Sequence, residues 1–499
     1  MGRDAPDAGA RAFVVAELGV VGLVVAFRVA TLWSLPPYFD ESLYAVQSFA
    51  VATDPTARFV ALTDGKGPLF TWLAAVPVTL GIAPLTAVRL VAAIASAATV
   101  ALVGALGRRA GGSLVGLVAA IVYAVLPLVV VQGAMGFYEP LLGCFAAAAL
   151  VVQWDLAERP TVRRGLLLGL ALAAGLLTKP TAQIVVVLLP LMLVLRRRPG
   201  TLGPVVAALA VAGFAQAIMM ASARVSDAPH VLQYTPPGFA LRHAATILPA
   251  SWPGHRAVLA AHLTMPVVLA IGVGVGAGLV ARTRATAFLV AWTVAAVVAT
   301  TLVAGKPLAR YHLPWLAPPV VLCALGLVSV ARDVRRRLGV SQGLVVAVVT
   351  VAALVPALWF DWSFAHAPRR TTLPGYDNRE LNADWPAGWG LDRLAARIAE
   401  RAHGDEVIAF MPPGTVNAAF SLLLDDPGQQ RFVLVGATDA RAADARFVVE
   451  AAMPTVQPLP CIDDPGGGCR RLDPARYRLL DAVGRPWQGA TIRLFERIE

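Results

Sequence analysis

Apolar runs of about 20 residues, the length that crosses the hydrocarbon core of a bilayer, recur through the first 360 positions, separated by short polar segments. Spans are expected over 12–33, 86–107, 113–131, 140–157, 204–223, 258–281, 287–304, 313–331 and 344–360. The run 165–195 is broken by Thr178-Lys179-Pro180 and has arginines at both ends, Arg163 and Arg164 before it and Arg196, Arg197 and Arg198 after it. It reads as a hairpin of two short arms with Lys179 at its tip. The run 68–82 is bounded by Pro68 and Pro84 and is too short to cross comfortably, so it reads as a short span or an interfacial helix. Segment 41–51 has Leu43, Val46 and Phe49 or Ala50 at helical spacing, the pattern of a short amphipathic helix.

Charge then decides the topology. Arg108-Arg109, Arg159 with Arg163 and Arg164, Arg196–Arg198, Arg282 with Arg284, and Arg332 with Arg335, Arg336 and Arg337 fall on one side if 68–82 does not cross. They would all flip outward if it did. The positive-inside rule therefore predicts about eleven crossings, a cytoplasmic N-terminus and an extracytoplasmic C-terminus. The first span is too long for a signal-peptide core and reads as an uncleaved anchor. Its Glu17 and Arg28 lie close to one helical face and are expected to point into the bundle.

After Trp362 the composition becomes that of an ordinary globular domain. Two domains follow: 1–361 in the membrane and 362–499 as a soluble extracytoplasmic α/β domain. Strands are expected at 406–410, 432–435 and 445–449, and helices at 391–402 and 416–424. Cys144 and Cys323 fall inside spans as core residues. Cys461 and Cys469 bracket a Pro-Gly-rich loop that an oxidising compartment could close as a disulfide.

The net charge of +11 is explained by the arginines of the short loops, so nucleic acid is excluded as a partner. Lysine is rarer: Lys66, Lys179 and Lys306 are the only three, each followed within two positions by proline. All three land on the outer side, against the general placement of cations. The same side receives Asp40, Glu41, Glu139 and Arg310. An ammonium is a compact charge suited to phosphate, although Asp64-Gly65-Lys66 is also plain turn chemistry and snorkelling is the bland account of Lys179 and Lys306. Asp40-Glu41 can cap a helix or supply a general base. Glu139 can likewise be a charge at a helix start. Arg310 begins a span, where the dipole does not favour a cation, so a specific anionic partner is expected for it.

Taken in order, Asp40-Glu41, Lys66-Gly67-Pro68-Leu69, Ala87-Val88-Arg89-Leu90, Leu177-Thr178-Lys179-Pro180 and Arg310-Tyr311-x-Leu313-Pro314 resemble motifs of the bacterial relatives of dolichyl-phosphate-mannose–protein mannosyltransferases. That group includes the lipid A aminoarabinose transferase and belongs to the GT-C superfamily. The resemblance covers most of the membrane domain. Gly67 departs from it, standing where the family has the first proline of Lys-Pro-Pro-Leu. Glu139, beside Tyr138, stands where the second acidic motif is usually aspartate. Asp384-Trp385-Pro386-Ala387-Gly388-Trp389-Gly390 looks like the tail of a bacterial subgroup.

The resemblance implies a GT-C-like fold and an inverting glycosyltransferase with a polyprenyl-phosphate sugar donor. Asp40, with Glu41 beside it, would be the catalytic base. Lys66, Arg89, Lys179, Lys306 and Arg310 would meet the donor phosphate, and Glu139 with Tyr138 would serve the acceptor or a metal. It leaves a divalent metal open, since some relatives bind one and others need none, and names neither the sugar nor the acceptor, which could be protein, glycan or lipid. The competing class is a transporter or lipid flippase, which more often shows internal repeats and charges at mid-membrane depth. A third reading makes the tail a binding module on an inert anchor.

Overall fold

The structure is a computed structural model. It describes residues 8–195, 200–225, 242–304, 306–382, 387–404, 406–411, 417–427, 431–436, 439–452, 461–463, 469–471, 475–486 and 490–498. The arginines 196–198, residues 226–241, Asp384-Trp385-Pro386 and residues 464–468 between Cys461 and Cys469 lie outside these residues.

The chain opens with α1 (Ala8–Thr31), α2 (Phe39–Thr53), a 3₁₀ stretch (Pro55–Asp64), α3 (Leu69–Thr79), α4 (Pro84–Gly111), α5 (Ser113–Val125), α6 (Pro127–Gly133), α7 (Tyr138–Glu158) and α8 (Val162–Thr178). Further long helices follow at Leu202–Val225, Ala244–Leu263, Met265–Val280, Arg284–Val303, Ala317–Leu338 and Gln342–His366. Among the described residues, seven helices are long and apolar enough to cross a membrane, and up to nine if each bent pair counts as one span. The protein is a multi-pass membrane protein by this measure. Large apolar side chains such as Leu23, Phe214, Leu269, Val280 and Trp359 stand exposed along these helices, as lipid-facing positions do.

Two of the about eleven expected crossings fall short of that measure because they are the arms of the 165–195 hairpin. Helix α8 has 17 residues, about 26 Å, and its partner Pro180–Leu195 is shorter still. The run 68–82 is the 11-residue helix α3, about 17 Å long, too short to span. Residues 258–281 are not one straight span: Ala244–Leu263 and Met265–Val280 meet at a 101° bend, where Thr264 takes a left-handed φ of 59°. Helices α5 and α6 are likewise bent by 59° at Pro127, which cannot donate to the preceding turn. Glu17 and Arg28 are both buried. Glu17 forms an ion pair with Arg108 of α4, so a charge inside a span finds a charge of the opposite sign.

Contacts divide the chain into two compact units: Met1–Leu32, Phe59–Phe70 and Arg89–His366, and then Trp33–Arg58, Thr71–Val88 and Ala367–Glu499. The second unit thus joins two segments that follow α1, Trp33–Arg58 and Thr71–Val88, to the tail. Its sheet has the order β2-β1-β3-β7-β6, with β1 (Glu406–Met411), β2 (Phe432–Gly436), β3 (Phe447–Ala452), β6 (Tyr477–Gly484) and β7 (Thr491–Arg497). β1 runs parallel to β2 and β3, while β7 is antiparallel to both β3 and β6. Leu391–Ala399 and Asn417–Leu423 cover one face through Leu394, Ile398, Phe410 and Phe420. Ala409, Val435 and Val448 line the other. The expected helices and first three strands are present within a few residues of their expected bounds. The strands β4 (Cys461–Asp463) and β5 (Cys469–Arg471) pair so that Cys461 faces Arg471 and Cys469 faces Asp463. The two cysteines are therefore diagonal in register rather than opposite. Their side chains are outside what is described.

Candidate active site

The residues singled out in the sequence fall into two groups, one in each unit. The first begins at the Lys66 turn. Gly65 has φ +67°, and the Lys66 amide donates to the Ala61 carbonyl at 3.1 Å. The Lys66 ammonium donates to the Asp64 carboxylate at 3.1 Å and to the Asp64 carbonyl at 3.2 Å. The chain then runs against the end of α8, where the Gly67 amide donates to the Thr178 carbonyl at 3.0 Å. A Cβ on Gly67 would fall 2.0 Å from the Leu177 carbonyl oxygen. This accounts for the departure from a Lys-Pro-Pro-Leu pattern: proline has neither the free N–H nor the room. One backbone hydrogen bond thereby brings together two sequence motifs more than a hundred residues apart.

Lys179 terminates α8. It and Glu139, in the first turn of α7, are both buried, and the Lys179 ammonium donates to Glu139 Oε1 at 2.6 Å. The same ammonium lies 4.9 Å from the centroid of the Tyr311 ring. The Arg310 guanidinium lies over the Phe137 ring at 5.0 Å and the Tyr311 ring at 5.8 Å, and is close enough to act electrostatically on Glu139. Aromatic faces attract a cation, so both rings favour Arg310 at this place. Tyr138 is buried, its ring tilted against Phe70 with centroids 4.5 Å apart. Around one buried carboxylate stand an ammonium and a guanidinium, a net positive focus suited to an anion of charge −1 or more.

Arg89 and Lys306 have different surroundings. Arg89 is fully buried and donates to the Leu32 carbonyl just past the end of α1, where a cation completes a helix C-terminus. Lys306 is exposed, before the 3₁₀ turn Ala309–Trp315 that carries Arg310.

That turn also brings an unexpected pair. His312 Nε2 and His255 Nδ1 are 2.8 Å apart, 57 positions distant in sequence and both buried. One imidazole must donate and the other accept. Burial, and then the charges of His255 and His262, push the His312 pKa down to about 3. His312 was visible in sequence as part of Arg310-Tyr311-His312, but nothing local marked His255.

The second group is the start of α2. The capping expected of Asp40 is performed by Glu41: fully buried, it accepts from the Tyr38 amide at 3.0 Å, as an N3 glutamate does in a capping box. Tyr38 occupies the N-cap and Asp40 the second helical position, half-buried. Glu41 is thus committed to the backbone, and Asp40 is the more accessible carboxylate. The buried residues of α2 are Glu41, Ser42, Tyr44, Ala45, Gln47 and Ser48, while Leu43, Val46, Phe49 and Ala50 are half-buried. Ser42 and Ser48 tolerate burial because they donate back to the Tyr38 and Tyr44 carbonyls, each at 2.7 Å.

Among the described residues no three His, Cys, Asp or Glu side chains gather where they could hold a metal ion. Glu41 accepts from a backbone amide and Glu139 from an ammonium.

Residues 65–222 match the family of dolichyl-phosphate-mannose-protein mannosyltransferases, a segment that holds Lys66, Arg89, Glu139 and Lys179. The resemblance drawn from the motifs is borne out there. Among solved structures, the chain is similar to ArnT of Cupriavidus metallidurans bound to undecaprenyl phosphate, with TM-score 0.56, 13% identity and coverage of 96% of this chain and 97% of that one. It is also similar to the oligosaccharyltransferase AglB of Archaeoglobus fulgidus in complex with an inhibitory peptide and a dolichol-phosphate (TM-score 0.54, 11% identity, 87% and 69% covered). A structure of the Archaeoglobus fulgidus enzyme with Zn and sulfate aligns at TM-score 0.53, with 12% identity and coverage of 87% and 68%. These likenesses establish an ArnT-like fold. No curated protein matches the sequence.

Proposed function

We propose that this chain is an inverting glycosyltransferase that moves a sugar from a polyprenyl-phosphate donor to an acceptor hydroxyl at the outer face of the membrane. The observation that carries the reading is the joint at Gly67 and Thr178. It draws the Lys66 and Lys179 motifs together in the unit that also holds Arg310, within a fold shared with a protein crystallised on undecaprenyl phosphate.

In this reading Asp40 accepts the proton of the acceptor hydroxyl. The hydroxyl oxygen attacks the anomeric carbon from the face opposite the phosphate, and the bond from that carbon to the phosphate oxygen breaks. The electron pair leaves with polyprenyl phosphate. Its developing charge is what Lys66, Lys179 and Arg310 stabilise, the kind of preorganised electrostatics that supplies the largest part of many rate enhancements. Glu139 holds Lys179 in place. Arg89 and Glu41 hold the backbone, and no step passes through a metal. The arginine distribution gives a cytoplasmic N-terminus and an extracytoplasmic tail, the face where a lipid-carried donor is the accessible one.

The test is transfer in proteoliposomes supplied with a panel of polyprenyl-phosphate sugars. Wild type consumes one of them, and Asp40→Asn abolishes turnover at unchanged expression. Near-normal turnover by Asp40→Asn removes Asp40 as the base.

A further inference from the structure

We infer that Glu380 and Gly388 of the C-terminal domain clamp the start of α2 and act as positioning residues for Asp40. The inference rests on the reading of Asp40 as the base. It gives the domain a part in the reaction that a binding module on an inert anchor does not have.

The contacts all lie within the second compact unit. The Tyr38 hydroxyl donates to Glu380 Oε1 at 2.5 Å, the short separation of a hydrogen bond to a carboxylate. Tyr38 is the N-cap of α2, two residues before Asp40, and is itself buried. The preceding residue is held from a second direction: a Cβ on Gly388 would lie 1.9 Å from the Pro37 carbonyl oxygen. Only glycine permits that approach of two backbones. Helix α2 also packs against Asn417–Leu423, so the helix has a second support in the same unit.

The two clamp residues are themselves joined. Glu380 sits in the short helix Asp377–Asn382, and the Trp389 indole donates to Asn382 Oδ1 at 3.0 Å. The Asn382 amide in turn donates to Asn378 Oδ1 at 2.9 Å, which also accepts from the Leu373 amide at 3.1 Å. From the sheet side, Arg485 donates to the Ala387 carbonyl at 2.9 Å. Glu380 and Gly388 therefore belong to one hydrogen-bonded piece anchored on the sheet. A carboxylate displaced by about 1 Å can cost two orders of magnitude in rate, so a rigid hold on the first turn of α2 has a kinetic consequence.

The test uses the full chain in proteoliposomes with the donor that wild type consumes. Glu380→Ala and Tyr38→Phe each lower kcat about 10- to 100-fold, leave KM for the donor unchanged, and are no worse combined than apart. Glu380→Gln stays within about 2-fold of wild type, because the amide oxygen still accepts from the tyrosine hydroxyl. Hydrogen exchange at the backbone amides of 38–45 is the second readout. It accelerates in Glu380→Ala and Tyr38→Phe but not in Glu380→Gln. Unchanged kcat in Glu380→Ala overturns the inference. So does a fall in kcat without faster exchange at 38–45, or a matching rise in KM. Asp40→Asn, run alongside, separates the two readings. Full activity there sinks the base assignment, whereas an inactive Asp40→Asn with a normal Glu380→Ala sinks the clamp alone.

Discussion

The Glu139–Lys179 pair is where stability and chemistry can be separated. At the observed 2.6 Å the attraction between unit charges is about 6 kcal/mol at an effective dielectric of 20, most of it offsetting the desolvation of two buried ions. Glu139→Gln removes the carboxylate that the buried ammonium pairs with, and Lys179→Met removes the hydrogen-bonded cation and leaves the carboxylate with Arg310 alone of the two cations acting on it. Each single change should cost about 3–5 kcal/mol of stability. The double change buries no charge and should cost clearly less than either, with a coupling energy of at least about 2 kcal/mol. Unfolding in mixed detergent micelles measures all four corners of the cycle. Transfer measured on the same samples should stay low in the double variant, because the cation proposed to meet the phosphate is gone while the fold is restored. Additive single losses, or losses below about 1 kcal/mol, refute the buried pair. Full transfer by the stable double variant refutes a phosphate role for Lys179.

Two further outcomes are expected. Gly67→Ala forces a methyl against the Leu177 backbone, which cannot swing aside, and should cost about 1–3 kcal/mol with at least a tenfold loss of transfer. Gly213→Ala, where a Cβ meets nothing within 4 Å, is the control and should leave both unchanged. His312 gives a pH signature. Its pKa of about 3 lies below the ordinary 6.5, so between these values the unfolded chain binds a proton that the fold refuses. Its contribution to stability is complete above about pH 6.5 and is lost as pH falls towards 3, by at most about 1.4 kcal/mol per unit. His312→Asn should flatten that slope in unfolding measured from pH 4 to 8, and an unaltered slope would contradict it.

What the sequence revealed and what it concealed divide along a physical line. Helix positions and lengths are encoded locally, in apolar runs and their breakers, so α1, α4, α7 and the hairpin at Lys179 were all legible. Pro68 and Pro84 likewise marked α3 as too short to cross. The tail strand β7 was legible in principle, since Thr491–Arg497 alternates between inward and outward positions. Pairings between distant segments were not legible. Nothing near Lys179 names Glu139, 40 residues away, as its partner. Arg89 carries the same guanidinium whether it meets a phosphate or the end of α1. The helical spacing in 41–51 marked α2, but which side of it is buried was not legible, because serines that bond back to their own helix can be buried at small cost. The hold of the C-terminal domain on Tyr38 joins residues 342 positions apart and leaves no local trace.

The most direct measurement is the fate of the donor phosphate. Purified protein in proteoliposomes would be given a polyprenyl-phosphate sugar labelled in both sugar and lipid, and the products followed together. The account predicts one free polyprenyl phosphate released per sugar transferred, with the anomeric configuration of the product inverted. Intact donor moved across the bilayer, with no polyprenyl phosphate released by the folded protein, would contradict it and identify a lipid translocator instead.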